Sequence, residues 1–428
     1  MFKFLIFKIM AHIASLTKTK AFFAKLFLKI DGKLPEFLGK KFKIVYICGS
    51  CGKSTTIAQT ASILRNTGSV VIARKGENRV GEILVAILKK YPLFDADKNC
   101  YAVFEVEADD LQEVLDVITP SVITVTNVFE DKDPDGGIYE KLTFACEKLE
   151  NTVFVLNGDE PLLFGFAEGN RRFYYGFRNN PSFPGSNETD EVAKICKDCG
   201  NPYKYIYNTY GHLGNYSCDA CGKTRPQLAL GVDEVYSINE SGSEVSFDGL
   251  KIFVPLAGGS NIYNALCAAT VSGAVGVGPD DIKEGIEKLH SIPGVQETVV
   301  VDTKELRLIS VGSALDFTES INAILPDANI VYIACLLDKK DIRWIDNVPF
   351  EKFNHLNYHG ILVGGSGCKE MSQRLENAGL DIAKFMICDD FESFIYSIRT
   401  NVIGKTYVFA SKKLMRSIRH NLHKKRYI

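Results

Sequence analysis

The chain has 428 residues, 46% hydrophobic and 24% charged, with a formal net charge of -2. That balance is a soluble globular one and gives no overall basic field to gather nucleic acid. The length exceeds one ordinary core, so two or three domains are expected.

Residues 1–30, MFKFLIFKIMAHIASLTKTKAFFAKLFLKI, are apolar but studded with Lys3, Lys8, Lys18, Lys20, Lys25 and Lys29. Lys8 and His12 interrupt the run, no small-residue cleavage site follows, and the run is too short to span a bilayer, which argues against a signal peptide or a crossing helix. An amphipathic helical segment over residues 1–40 is expected. It would pack on the protein's own core or lie on an anionic membrane surface from the cytoplasmic side, and both readings stay open.

KIVYICGS is a β-branched run ending in glycine, and TTIAQTASILRNTG after it repeats Ile57, Ala61 and Leu64 at helical spacing. SVVIARKG, YAVFEVEA, SVITVTNV and NTVFVLNGD are further short apolar runs, with helical stretches such as DDLQEVLDVI between some of them. Alternating strands and helices predict a parallel sheet covered on both faces, with chemistry on the loops at the strand carboxyl ends. The pattern breaks from about Ser182 to Pro226 into a Tyr- and Cys-rich insert. EVYSINESGSEVSFDGLKIFVPL then alternates like hairpin strands, and NIYNALCAATVSGAVGVG reads as a small-residue helix. From Gly294 a second βα pattern runs through VVVDT, LRLISVG, NIVYIACLLD, GILVGG, DIAKFMICDD and TYVFAS. The expected division is 1–40, a central domain 41–293 with an insert at about 190–228, and a smaller α/β domain 294–428.

YICGSCGKSTT carries the chemistry. Gly49, Ser50 and Gly52 form a turn that presents amides to an anion, Lys53 reaches phosphate, and Ser54, followed by Thr55 at the helix start, supplies a hydroxyl to magnesium. Glu105 and Glu107 close YAVFEVEA on one side of a strand, where a nucleotide enzyme holds its metal, and Glu105 is the expected magnesium ligand. Cys48 and Cys51 need no redox role. Of twelve cysteines, Cys196, Cys199, Cys218 and Cys221 form two CxxC pairs. That spacing predicts a closed, structural zinc site, and without a signal peptide it favours metal over disulfides.

GSCGKSTT resembles the short GTNGKTTT loop of the Mur ligase superfamily, LNGDEP its LNADDP, and GGSNIYNALCAA its GxxNxYNALAA. A four-cysteine insert carrying YGHLGNYSCDACG, together with TPSVITVTNVF and DIRWIDNVPFEKF, is similar to the MurT-like branch. The resemblance implies a Mur-ligase-like P-loop ATPase domain with an inserted zinc ribbon and a Rossmann-like C-terminal domain. It implies ATP-driven activation of a carboxylate as an acyl phosphate, the acceptor being the D-glutamate α-carboxyl of lipid II. Ammonia would come from a GatD-like glutamine amidotransferase. It also implies ATP and Mg2+ at Lys53, Ser54 and Glu105, Asn261 near adenine, and Asn127 and Asp131 lining the nucleotide and acceptor site. Asp341 would complete the partner's glutaminase site. Where the family has an asparagine in the loop this chain has Cys51, FRDQxDR has become FEDKDPDGG, and GRxE is GVQE. The lost arginines bear on the acceptor more than on ATP. Two other readings stay in play, a Mur-like ligase acting on another cell-wall or cofactor carboxylate and, remotely, a nucleic-acid-binding P-loop ATPase using the insert's tyrosines.

Overall fold

The computed structural model describes residues 2–17, 19–73, 79–92, 99–129, 137–181, 194–324, 332–339, 343–402 and 404–427. Three helices come first, α1 (Phe2–Ser15), α2 (Lys20–Ile30) and α3 (Leu34–Lys41). An alternating βα run follows: β1 (Lys43–Cys48), α4 (Lys53–Leu64), β2 (Gly68–Ala73), α5 (Arg79–Lys90), β3 (Asn99–Glu105), α6 (Ala108–Leu115), β4 (Val122–Val125), α7 (Ile138–Cys146), β5 (Val153–Asn157) and β6 (Arg172–Phe177). The insert contributes a separate hairpin, β7 (Lys204–Tyr210) and β8 (Leu213–Ser217). The chain then returns to the large sheet with β9 (Leu230–Asn239), β10 (Gly242–Phe247) and β11 (Leu250–Val254), and closes it with α8 (Gly259–Ala274) and α9 (Pro279–Glu287).

That sheet has nine strands in the order β11-β10-β9-β6-β5-β4-β1-β3-β2. It is parallel from β2 to β9, with β10 and β11 as an antiparallel edge. Both faces of its centre are buried, as a parallel sheet requires. In β1, Ile44, Tyr46 and Cys48 join one core with α1, α2, α5, α6 and α7, while Val45 and Ile47 join the other with α4 and α8. The period of two that marked KIVYIC as a strand therefore sends alternate side chains into two different layers. The small residues of α8, among them Ala265, Ala268 and Ala269, are buried over most of its length.

A second sheet holds β12 (Gln296–Val301), β13 (Lys304–Ser310), β14 (Tyr332–Leu336), β15 (Gly360–Gly364), β16 (Phe385–Cys388) and β17 (Lys405–Ala410), in the order β12-β13-β17-β14-β15-β16. It is parallel except for β12. Helices α10 (Ala314–Ile324), α11 (Cys368–Asn377), α12 (Phe391–Thr400) and α13 (Lys412–Lys424) accompany it. In β14, Ile333 and Cys335 face one core and Ala334 and Leu336 the other.

The N-terminal helices pack on the protein's own core. Phe7, Ala11, Ala14, Ala24, Phe27, Leu34 and Leu38 are buried in the same cluster as β1 and α5. No helix among the described residues is long and apolar enough to cross a membrane.

Candidate active site

The order β4-β1-β3 puts β1 where the winding of the sheet reverses, and ligands of open α/β sheets sit outside the strand carboxyl ends at such a point. The loop after β1, Glu105 at the end of β3, Thr126 and Asn127 after β4, and Asp159 and Glu160 after β5 converge there. Apart from Asp159 and Glu160, which are fully buried, they line a cleft of about 2540 Å3 whose far wall belongs to the six-stranded half.

The turn from β1 to α4 depends on two glycines with positive φ. A Cβ on Gly49 would collide with Thr126 Oγ1 and lie 2.9 Å from Asn127 O, and one on Gly52 would run into Asn264 Oδ1. Asn127 braces this turn from the next strand. Its carbonyl accepts from Ser50 N–H at 3.1 Å, and its side chain accepts from Cys51 N–H at 2.9 Å. Thr126 Oγ1 adds a bond to Cys51 O at 2.7 Å. The first amide used within α4 is Thr56 N–H, bonded to Gly52 O, so the amides just before it are those a helix N-terminus leaves over for a ligand.

Lys53 is buried, donates to Gly49 O and to Ser50 O, and pairs with Glu107 Oε2 at 3.1 Å. Ser54 Oγ donates to Glu105 Oε2 at 3.0 Å, so the two expected magnesium ligands meet although 51 residues separate them. The hydroxyl of Ser50 is buried with no partner, an orphan acceptor and donor in the middle of the loop. Thr55 is buried beside it. Asn261, on the first turn of α8, donates to Ala257 O at 2.6 Å and accepts from Asn264 Nδ2 at 3.2 Å. Asp131 and Asp341 lie outside the described residues. Cys48 is buried, and burial pushes its thiol far up, so it stays neutral, as its bland reading requires.

The Sγ atoms of Cys196, Cys199, Cys218 and Cys221 all lie within 4.8 Å of one another, with Cys196–Cys221 at 3.8 Å and Cys199–Cys218 at 3.4 Å. A tetrahedral four-thiolate zinc site with bonds of about 2.3 Å needs sulfurs roughly 3.8 Å apart. Each CxxC closes a tight turn, through Gly200 N–H to Cys196 O at 2.8 Å and Gly222 N–H to Cys218 O at 2.9 Å. The cluster could therefore hold a metal ion. Four of the insert's tyrosines, Tyr203, Tyr207, Tyr210 and Tyr216, are buried, which leaves no row of exposed rings among the described residues of the insert on which bases could stack.

The other end of the insert enters the cleft, a feature that sequence reasoning missed. The tip between β7 and β8 carries Tyr210, Gly211 and His212, all lining it. Gly214 N–H donates to Asp159 O at 2.9 Å, fastening the hairpin to the loop after β5. Glu160 is fully buried and accepts from Val128 N–H at 2.9 Å and Leu162 N–H at 3.3 Å; His212 Nε2 lies 2.7 Å from Glu160 Oε2, while His212 Nδ1 is buried without a partner. Asp159 accepts from Arg225 at 2.8 Å, Tyr263 OH at 2.7 Å and Phe177 N–H at 2.8 Å; burial still holds its carboxyl above the usual range. Across the cleft, Tyr210 OH donates to Asp316 Oδ1 at 3.0 Å. On the same helix, α10, burial pushes Glu319 up to about 7. LNGDEP and YGHLGN were visible as motifs, and a carboxylate pair just past a strand end was the available signal.

The far wall is richer in cations than in carboxylates, with Lys339, Arg343, Lys352, Lys412 and Arg416 lining it beside Asp316, Glu319 and Asp338. Positive charge facing the phosphate loop thus comes from the C-terminal half of the chain.

Comparisons with known proteins agree with this geometry. Residues 316–414 match the MurT ligase C-terminal family. The chain is 29% identical over 410 residues to the lipid II isoglutaminyl synthase (glutamine-hydrolyzing) subunit MurT of Streptococcus pneumoniae, covering 93% of this chain and 91% of that one. It is 27% identical to the MurT subunit of Staphylococcus aureus strain COL over 83% of this chain and 82% of that one. In fold it is similar to a pseudomurein peptide ligase type C from Methanothermus fervidus, with a TM-score of 0.64 at 19% identity, covering 89% of this chain and 79% of that one. The chain thus resembles MurT subunits over most of its length, has the fold of the Mur ligases and carries the short phosphate loop of an ATP-dependent ligase.

Proposed function

We propose that this chain is the ATP-using subunit of a two-protein amide synthase. It would convert the D-glutamate α-carboxyl of lipid II into an acyl phosphate, and ammonia from a GatD-like glutaminase would then displace phosphate. The observation that carries this reading is the meeting of Lys53, Ser54 and Glu105 at the switch point of the sheet, opposite a wall richer in cations than in carboxylates. Two anions, a triphosphate and a carboxylate, must approach one another for the first step, and cations on both walls of one cleft reduce their repulsion.

Ser54 Oγ and Glu105 would hold magnesium, which supplies charge neutralisation at the phosphates when bound. Lys53 would bind the outer phosphates and the leftover amides of α4 would orient them. Asn127 would act through the loop by fixing its turn, and Asn261 would lie at the nucleoside end. In this reading the insert is a zinc ribbon whose four thiolates are structural, and its tip forms the acceptor side through His212 and Glu160. Asp131 would belong to the acceptor side and Asp341 to the glutaminase contact. Residues 41–293 would form the ATPase domain and 294–428 the partner-binding domain, after the helical segment 1–40. The lipid-linked acceptor would put the reaction at the cytoplasmic face of the membrane.

A second reading keeps the ligase and changes the carboxylate. It is favoured by the loss of both arginines of FRDQxDR and by Val295 in place of the family's arginine.

The test is to co-express the chain with a GatD-like glutaminase and supply ATP, glutamine and lipid II. Mass spectrometry should find the small decrease that marks acid turned to amide. ATP turnover on another carboxylate without that product would move the assignment to the second reading.

A further inference from the structure

The outward face of the N-terminal helices is unlike that of an ordinary surface helix, which is polar towards water. On α1, Leu5, Ile6, Ile9 and Ile13 are 41–54% exposed, and Leu16 just beyond the helix is 87% exposed. At 3.6 residues per turn these five fall within about 100° of the helix circumference. The opposite side of the same helix carries Phe7, Ala11 and Ala14, which are buried on the large sheet's core. The helix is therefore apolar on both sides, and only one of them is used by the fold. On α2, Phe22 and Ile30 extend the exposed apolar surface at 63% and 50%.

The charge of this segment is mostly of one sign, although Lys3 is paired with Asp31 and Lys20 with Glu82. Residues 1–30 contain six lysines and no aspartate or glutamate, on a chain whose net charge is -2. Lys25 and Lys29 are exposed on α2 beside Phe22 and Ile30. A solvent-facing aliphatic stripe with cations at its margins is the pattern of a helix lying in the plane of a bilayer, its side chains in the acyl boundary and its lysines at anionic headgroups.

We propose that α1 and α2 form a membrane-docking surface, in which Leu5, Ile6, Ile9, Ile13, Leu16 and Phe22 enter the interface of an anionic bilayer. The surface makes the chain a peripheral protein held by one face. It rests on the proposed lipid-linked acceptor only in that both would lie at the same membrane, and its test uses neither ATP nor acceptor.

The full chain is mixed with phosphatidylglycerol-containing vesicles or with phosphatidylcholine vesicles and separated by flotation. Binding to the anionic vesicles should exceed binding to the neutral ones by about tenfold or more and weaken as salt rises. The double variant Ile9→Asn/Ile13→Asn should lose the bound fraction while keeping its far-UV circular dichroism and its nucleotide affinity. Lys25→Gln/Lys29→Gln should weaken binding to anionic vesicles and leave the neutral ones unchanged. No flotation of the wild type, or equal flotation of the isoleucine variant, overturns the proposal. A wild-type dimer in light scattering that the isoleucine variant converts to monomer also overturns it, by making a second copy of the chain the occupant. Amidation of lipid II is measured separately, so failure of docking and failure of the acceptor assignment give different results.

Discussion

The two sides of the cleft are assembled by opposite rules. The phosphate side is made from one continuous stretch, Gly49 to Thr55, with a strand-end glutamate and a bracing asparagine, and backbone does much of its work. The opposite side, which we assign to the acceptor, is made of side chains that meet across the fold. Tyr263 reaches Asp159 from 104 residues away, and Tyr210 reaches Asp316 from 106. A contiguous site survives loss of a distant support, whereas an assembled one depends on each of its supports.

The largest effect should come from Lys53→Ala. Removing this buried cation, which we assign to the outer phosphates, is expected to lower ATP turnover and ligation together by about 100-fold to 1000-fold. A coupled assay for ADP release reads it, and a variant that kept its turnover would take the loop out of the mechanism. Next is the paired change Cys196→Ser/Cys199→Ser, or stripping with a chelator followed by metal analysis. A structural metal holds its fold together directly, so the insert should loosen. Ligation is then expected to fall about tenfold or more, while binding of a fluorescent nucleotide stays within about twofold. Equal loss on both measures would erase the difference between the two sides.

His212→Ala sharpens the comparison at one residue. It leaves Glu160 buried with only its backbone partners, at about 1–3 kcal/mol of stability. Ligation should drop with nucleotide affinity kept, which separates an acceptor role from a nucleotide role. The smallest effect concerns Glu319. Its carboxyl is held near 7 in the folded chain, above an ordinary value of 4.5. The folded state therefore keeps a proton that the unfolded state has released, and stability falls as pH rises from about 4.5 to about 7. Glu319→Gln should remove that slope, raising the melting temperature at pH 8 by a few degrees and leaving it unchanged near pH 4. A wild-type curve that is flat over this range would contradict it.

Much of the fold was legible because each strand of the large sheet's centre is buried on both faces, and continuous β-branched runs such as KIVYIC and YAVFE announce that. The loop was legible because its chemistry is local, and Glu105 because a strand carboxyl end next to such a loop has few other uses. Asp159, Glu160, His212 and Asp316 were not legible as a group, since no periodicity links positions that meet only through tertiary packing. The N-terminal helices were half read. Their lysines suggested one apolar face and one charged face, with core and membrane as alternatives, but the structure shows a buried apolar face and an exposed apolar face on the same helix.

The bond from Tyr210 to Asp316 makes the hairpin a strut spanning the two sheets. Gly211 beside it has a positive φ, and a Cβ there would press on the side-chain tips of Phe129 and Leu315 at 2.9 Å and 3.0 Å. If the two halves swing apart during turnover at this point, they do so by breaking that bond or by bending a hairpin whose base carries the four-cysteine cluster, while Glu240 holds Arg307 and Lys405 of the second sheet elsewhere. With a metal bound, the cysteine cluster would stiffen that strut, and the rate of opening, rather than the chemistry, is where a weakened cluster would first be felt.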